Sequence, residues 1–287
     1  MNIGIYAASE NYLSENELVK LICLSEKYNF HLFFNEEYVN GLKNRQNFEF
    51  KCYSQDKDVL NSVSYFISYG GDGTFLKCVR EVAGFDIPIL GINSGNLGFL
   101  LSANANNAED AFDAIFKGEF NVEVRDMLTI SGSFDGEMKT IDCFNEFTLQ
   151  KSGLSMISVE MKILNEKVTT YKADGLIIST PSGSTAYSLS VGGPIVSPDC
   201  NCFIITPIAP HNLTMRPLIV SNNSIISLKV NSRIEPSFAT VDNMSFNAYN
   251  NAEFTVELSK IKAKIIKLKS DSYFKTLTKK LMWGRES

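Results

Sequence analysis

Along the first 120 positions apolar residues recur in two periods. Ile3–Ala7 is a short unbroken run, and Ser14-x-x-Glu17 ahead of Leu18, Leu21 and Ile22 predicts a capping box opening an amphipathic helix. Phe30–Phe34, Ser64–Tyr69 and Ile87–Ile92 read as further strands, Thr74–Ala83 as a helix, and Ala108–Lys117 as a helix stopped at Gly118. Short apolar strands alternating with helices predict a parallel sheet covered on both faces. From Phe120 to Ser270 the helical period fades and alternating strands take over, as in Val122–Ile130, Ile157–Leu164 and Ile204–Ile208. Within Ser259–Lys269, Lys260, Lys262 and Lys264 alternate with Ile261, Ala263 and Ile265, and Lys267 and Lys269 follow; this predicts a strand whose solvated lysine face protects a sheet edge. Asp271 or Ser272 is expected to cap a last helix through Leu281, whose Phe274, Leu277 and Leu281 need a surface to pack on. The expected architecture is an α/β domain with a Rossmann-like parallel sheet over 1–119, a β-rich domain over 120–270, and a C-terminal helix over 271–287 that packs back on the first domain.

Charge narrows the function. The 27 Lys and Arg against 32 Asp and Glu leave a net charge of −5, which argues against a protein whose task is neutralising nucleic-acid phosphates. No run approaches the ~20 apolar residues of a membrane span and no signal-peptide pattern opens the chain, so a cytoplasmic protein is expected. The six cysteines are scattered, with one C-x-C pair at Cys200 and Cys202 and no second pair to complete a zinc site. With only His31 and His211 present, a histidine triad or a multi-histidine metal site is nearly excluded, and general base work is expected to fall to carboxylates.

The most informative stretch runs from an apolar strand into Gly70-Gly71-Asp72-Gly73-Thr74 and then a helix. Glycines let backbone amides approach an anion, and a helix N-terminus favours negative charge. Asp72 inside such a phosphate cradle needs a proton to accept or a metal to hold, both parts of phosphoryl transfer, unless the segment is a plain Gly-Asp turn. A second glycine-polar loop, Gly91 to Leu100 with Asn93, Asn96 and Gly98, follows the next strand and could face the same nucleotide across the sheet's carboxyl edge, though an ordinary strand exit has the same turn residues. Asn145-Glu146 lies among Ile141, Phe144 and Phe147, an unusual position for a charge. An amide beside a carboxylate can read an adenine edge and a ribose diol, though an exposed strand pair has the same spacing. Lys172-Ala-Asp174-Gly175 leads through an apolar strand into the hydroxyl-rich stretch Thr180–Ser190 and Gly192-Gly193-Pro194, dense enough in donors and acceptors to hold a sugar and an amide, though such residues also serve simply as turn and cap formers.

In this order the motifs resemble bacterial NAD kinases over roughly residues 64 to 245, the Ala-Asp-Gly…Ser-Thr-Pro-x-Gly-Ser-Thr-Ala-Tyr block most specifically. The resemblance implies ATP- and Mg-dependent phosphorylation of the 2′-hydroxyl of the adenosine ribose of NAD, in a homotetramer or homodimer whose sites are completed by a neighbouring subunit. It implies Asp72 as proton acceptor or metal partner. Gly70, Gly71, Gly73, Thr74 and Asn93 would surround the ATP phosphates, with Asp72, Gly73 and Lys77 also near NAD. Asn145 and Glu146 would take adenine and ribose. Lys172, Asp174, Thr185, Ala186, Tyr187, Ser188, Leu189 and Ser190 would line the rest of the dinucleotide. No fixed protein metal site is implied, the magnesium being carried with ATP. The chain departs from the family at Asp242-Asn243-Met244, where Asp-Gly-Gln is usual, and His211 reads as structural. Two alternatives stand beside this: a lipid kinase of the same superfamily, against which Asn93-Ser-Gly-Asn96 replaces the usual Gly-Thr-x-Asn-Asp, and a non-catalytic NAD- and ATP-binding sensor.

Overall fold

The computed structural model describes residues 1–9, 11–43, 46, 48–53, 57–93, 98–104, 108–233, 236–269 and 272–282. Its contacts divide the chain into two compact units, Met1–Val124 with Ala263–Ser287, and Arg125–Lys262.

The first unit opens with β1 (Asn2–Ala7), α1 (Glu15–Tyr28), β2 (His31–Asn35), α2 (Glu36–Gly41), β3 (Cys52–Tyr53), α3 (Lys57–Ser62) and β4 (Tyr65–Tyr69). It continues with α4 (Asp72–Val82), β5 (Ile89–Asn93), β6 (Ala103–Asn104), α5 (Ala108–Lys117) and β7 (Phe120–Arg125). The predicted capping box forms: Glu17 N–H donates to Ser14 Oγ at 3.4 Å and Ser14 N–H to Glu17 Oε2 at 2.8 Å. Gly118 ends α5 at φ +68°, a left-handed stop that glycine adopts without steric cost. β1 pairs in parallel with β2 on one side and β4 on the other, and β4 with β5, so the order of the strands reverses at β1. The segments following β1 and β4 therefore leave the same edge of the sheet, where α/β folds bind ligands. Every residue of β5 and all but the first of β1 and β4 are buried, the signature of a sheet covered on both faces. At the end of β2, Asn35 closes that edge locally, its Oδ1 accepting from Ala7 N–H and its Nδ2 donating to Ala7 O, both at 3.0 Å.

The second unit holds β8 (Leu128–Phe134), β9 (Glu137–Cys143), β10 (Glu146–Gln150), β11 (Ile157–Ile163), β12 (Glu166–Ala173) and β13 (Gly175–Ser179). After the short helix α6 (Tyr187–Ser190) come β14 (Cys202–Ile208), β15 (Leu218–Ser221), β16 (Ile226–Ser232), β17 (Ser237–Val241), β18 (Met244–Ala248) and β19 (Glu253–Leu258). They form two six-stranded sheets, ordered β15-β14-β13-β10-β17-β18 and β12-β11-β16-β19-β8-β9. Alternate residues of both, such as Val159 and Met161 of β11 and Phe147 and Leu149 of β10, form one core. At its centre the Phe134 ring lies 5.1 Å from Phe246, 5.1 Å from Phe254 and 6.2 Å from Phe147. The chain then re-enters the first unit's sheet as β20 (Ala263–Leu268) and ends in α7 (Tyr273–Leu281).

Three expectations are corrected. The run Val122–Ile130 is two strands, β7 and β8, interrupted where Asp126 turns aside to meet Lys262 Nζ at 2.5 Å and Asn222 Nδ2 at 2.6 Å. The lysine-rich strand is no edge of the β-rich part: β20 lies between β5 and β7 in the first unit's sheet. Its lysines are engaged, Lys264 with Asp86 at 2.6 Å and Lys267 with the Leu100 carbonyl at 3.2 Å. α7 is capped by Ser272 and buries Leu277, but Phe274 points outward, 66% exposed.

Candidate active site

In the first unit the glycine turn between β4 and α4 is built around a close approach. Gly70 sits at φ +151°, a region L side chains rarely adopt, and a Cβ there would lie 2.4 Å from Thr74 Oγ1. Its N–H donates to Ile92 O at 3.0 Å, tying the turn to β5. The helix begins at Asp72 rather than Thr74, because Gly71 takes the N-cap position and its carbonyl accepts from Thr74 and Phe75 N–H at 3.0 and 3.1 Å. The Asp72 and Gly73 amides thus fall in the first helical turn, where no intrahelical acceptor exists and an anion is favoured.

Asp72 does not project freely into the turn. Its Oδ2 accepts from Phe99 N–H at 3.1 Å and its Oδ1 from Leu100 N–H at 3.3 Å, so the second glycine loop grips the carboxylate of the first. Gly98 makes this possible: a Cβ on it would lie 1.9 Å from Asp72 Oδ1. Asn93 is buried at the end of β5 and Lys77 is half-buried on α4. Positions 94–97 of the second loop, Asn96 among them, lie outside the described residues.

In the second unit the Phe144-Asn145-Glu146 turn joins β9 to β10, and its geometry comes from residues far along the chain. Asp242 Oδ1 accepts from Asn145 N–H at 2.8 Å and Glu146 N–H at 3.1 Å, while Oδ2 accepts from Phe144 N–H at 2.9 Å. Thr180 donates its N–H to Asn145 O at 2.9 Å and its hydroxyl to Phe144 O at 2.7 Å, and that hydroxyl accepts from Gly183 N–H at 3.1 Å. Gly183 packs so closely that a Cβ would lie 2.2 Å from Asn145 O. Two side-chain acceptors are left over, Asn145 Oδ1 and Glu146 Oε2, both shut off from solvent and without a hydrogen bond. Buried acceptors of this kind are satisfied in most proteins, and a ligand's hydroxyl or amino group would satisfy these. Burial, and then the like charge of Asp242, push the Glu146 carboxyl up to about 8.

The hydroxyl-rich stretch is only partly open. Ser188 Oγ pairs with Thr206 Oγ1 at 2.9 Å under Gly193, whose Cβ would clash with it, while Tyr187 OH receives a bond from Gln150 Nε2 at 3.4 Å. Thr185 turns its hydroxyl to Ser182 O at 3.4 Å; Ala186 and Leu189 are half-exposed and Ser190 is exposed. Asp174 is held by Lys151 at 2.7 Å. Lys172 is exposed on β12, lining a cavity of about 300 Å³ with Ser158, Asn231, Arg233 and Asn250. His211 is exposed, its backbone N–H donating to Lys172 O at 2.9 Å. Met244 packs partly buried against the core, so this departure from the usual Gln serves as apolar filler. The sequence singled out Gly98 within the second loop and Asp242 at the family's usual Asp-Gly-Gln, but not that Gly98 and Gly183 make room for Asp72 and Asn145 or that Asp242 holds the turn.

Two family matches cover most of the chain: residues 8–120 match the ATP-NAD kinase N-terminal domain and residues 144–268 the ATP-NAD kinase C-terminal domain. The NAD kinase of Christiangramia forsetii is 35% identical over 100% of this chain and 99% of its own, and that of Flavobacterium psychrophilum 37% identical over 96% and 91%. Among solved structures, yeast NADH kinase complexed with NADH superposes with a TM-score of 0.87 at 22% identity, covering 100% of this chain and 89% of its own, a likeness of fold. These matches over most of the chain make it a member of the NAD kinase family.

Proposed function

We propose that the chain transfers the γ-phosphoryl group of ATP to the 2′-hydroxyl of the adenosine ribose of NAD, with Asp72 as the general base. The observation that carries this reading is the Asp72 carboxylate at the head of α4, each oxygen held by one backbone amide. Two N–H donors orient the carboxyl group and leave lone pairs on both oxygens, and an alcohol needs an oriented acceptor because it is a poor nucleophile. The hydroxyl oxygen forms its bond to the γ-phosphorus as the bond to the ADP oxygen breaks, and the hydroxyl proton passes to Asp72 and then to solvent. Base catalysis of this kind contributes about 10²–10⁴-fold, with positioning and electrostatics supplying the rest.

In this reading Gly70, Gly71, Gly73 and Thr74, with Asn93, cradle the phosphates, and Lys77 adds a positive charge beside them. Asn145 and Glu146 take the adenine and the ribose on their two unsatisfied acceptors. Lys172, Asp174 and Thr185–Ser190 line the remaining dinucleotide. Magnesium would be carried by the nucleotide phosphates near Asp72, and when bound it would neutralise charge developing on the phosphoryl oxygens. The exposed Leu154, Leu213, Ile219 and Phe238 of the β-rich unit support a homo-oligomer, and six free thiols suit the reducing cytoplasm.

The test is an assay of the purified protein with NAD, ATP and Mg²⁺ in which NADP is read by an NADP-specific dehydrogenase, with Asp72→Asn alongside. Turnover in the wild type and a kcat lower by at least 10²-fold in the variant are expected. A variant that keeps most of its kcat at saturating substrate overturns the base assignment, and a folded wild type that binds NAD without turnover overturns the activity.

A further inference from the structure

We propose that Asp242 is the positioning residue of the Asn145-Glu146 turn and that NAD binding there is coupled to release of a proton from Glu146. The inference rests on the reading that this turn receives the adenosine ribose. Its geometry stands independently of that reading. One carboxylate accepts three successive amides, those of Phe144, Asn145 and Glu146, at 2.8 to 3.1 Å. In return the Asp242 N–H donates to Glu146 O at 2.9 Å, which locks the two turns together. Asp242 adopts φ +49° to do so, a conformation uncommon for a residue with a side chain. An amide side chain cannot replace it, because one of the two terminal atoms would be an NH₂ facing an N–H donor.

The same carboxylate is a like charge acting on Glu146. Among the described residues of its unit, the ionisable groups that interact with this site include Asp242 from the β17–β18 turn and the buried thiol of Cys143 at the end of β9, with Asp142 one residue further back. From β13 comes Ser179, opposite Glu146 in the register. Burial and Asp242 act in the same direction, so the free protein holds Glu146 largely protonated at neutral pH. A neutral carboxyl meets the 3′-hydroxyl as a donor as well as an acceptor, whereas the carboxylate accepts it through a charge-assisted bond and leaves the 2′-hydroxyl proton to Asp72. A ligand that prefers the ionised form must expel the proton.

The linkage has a definite sign. NAD affinity rises with pH up to the point where Glu146 ionises in the free protein, near 8, and is flat above it. Between pH 6 and 8 the Kd for NAD, measured by calorimetry without ATP, is expected to fall by up to about tenfold per pH unit. Titrations in buffers of different ionisation enthalpy should show close to one proton released per NAD at pH 7 and none at pH 9.5. Glu146→Gln should bind more weakly, with a flat profile and no proton release; Asp242→Asn should bind more weakly at every pH, with the steep region moved to lower pH. A flat wild-type profile beside a weakened Glu146→Gln overturns the coupling and leaves the ribose assignment standing. Proton release that persists in Glu146→Gln also overturns it. Wild-type affinity in Glu146→Gln defeats the ribose assignment itself, and the coupling with it. An Asp242→Asn variant with the wild-type profile overturns the positioning role. Should that variant not fold, amide exchange in the wild type decides the point: the Phe144, Asn145 and Glu146 amides should be protected as a group, and rapid exchange of any of them overturns it.

Discussion

Gly98→Ala is a substitution outside the reacting groups that should disable the reaction. The Cβ it adds would lie 1.9 Å from Asp72 Oδ1, 2.6 Å from Cγ and 2.8 Å from Oδ2, where real Cβ contacts essentially never fall under 3.0 Å. Either the carboxylate or the loop must therefore retreat by about 1.1 Å at least. Such a shift stretches the 3.1 and 3.3 Å bonds from Phe99 and Leu100 beyond hydrogen-bonding range and releases the carboxylate from its orientation. A misplacement of about 1 Å costs on the order of 10²-fold in rate, or about 2.7 kcal/mol of barrier. Overpacking adds about 1–3 kcal/mol of destabilisation, a fall in Tm of roughly 2–10 °C for a chain of this size. In the coupled assay kcat should fall about 10²-fold while KM for NAD stays within about threefold. Gly41→Ala, whose Cβ meets nothing within 4 Å, serves as the neutral control and should keep the wild-type kcat. A folded Gly98→Ala protein with kcat within about threefold of wild type would refute the reasoning, since the second loop would then not be what holds Asp72.

Gly183→Ala tests the other unit in the same way: its Cβ would meet Asn145 O at 2.2 Å and displace the turn, so KM for NAD should rise about 10- to 100-fold with kcat little changed, and an unchanged KM would remove Gly183 from the support of the turn. Glu146→Gln tests the buried acid through stability. With its carboxyl raised to about 8 in the folded state from 4.5, Glu146 makes the wild type lose stability as pH rises through that window and level off above it. The variant lacks this slope, so chemical denaturation should find it more stable than wild type by about 2–4 kcal/mol at pH 9 and equal at pH 4; a difference independent of pH would show that Glu146 is not held protonated by the fold.

The elements that the sequence determined by itself are those whose causes are local. The Ser14–Glu17 capping box, the stop at Gly118 and the glycine turn at 70–73 depend on residues within a few positions of one another, and the sheet's continuous apolar strands record only that both faces are covered. Asp72 and the Asn145-Glu146 pair were legible because a charge among glycines or aromatics is costly unless it has a use. Tertiary structure decided everything that needed a partner distant in the chain. It placed β20 between β5 and β7, and split Val122–Ile130 at Asp126, whose partners are Lys262 and Asn222. It closed the second glycine loop onto Asp72 across 27 positions and brought Asp242 to three amides across 96 to 98. The periodicity of a strand reports which of its faces is buried and is silent on which strand lies beside it. Pairing, register and the capture of a turn's amides by a remote carboxylate are settled only when the whole chain competes to bury its apolar surface without stranding a polar group.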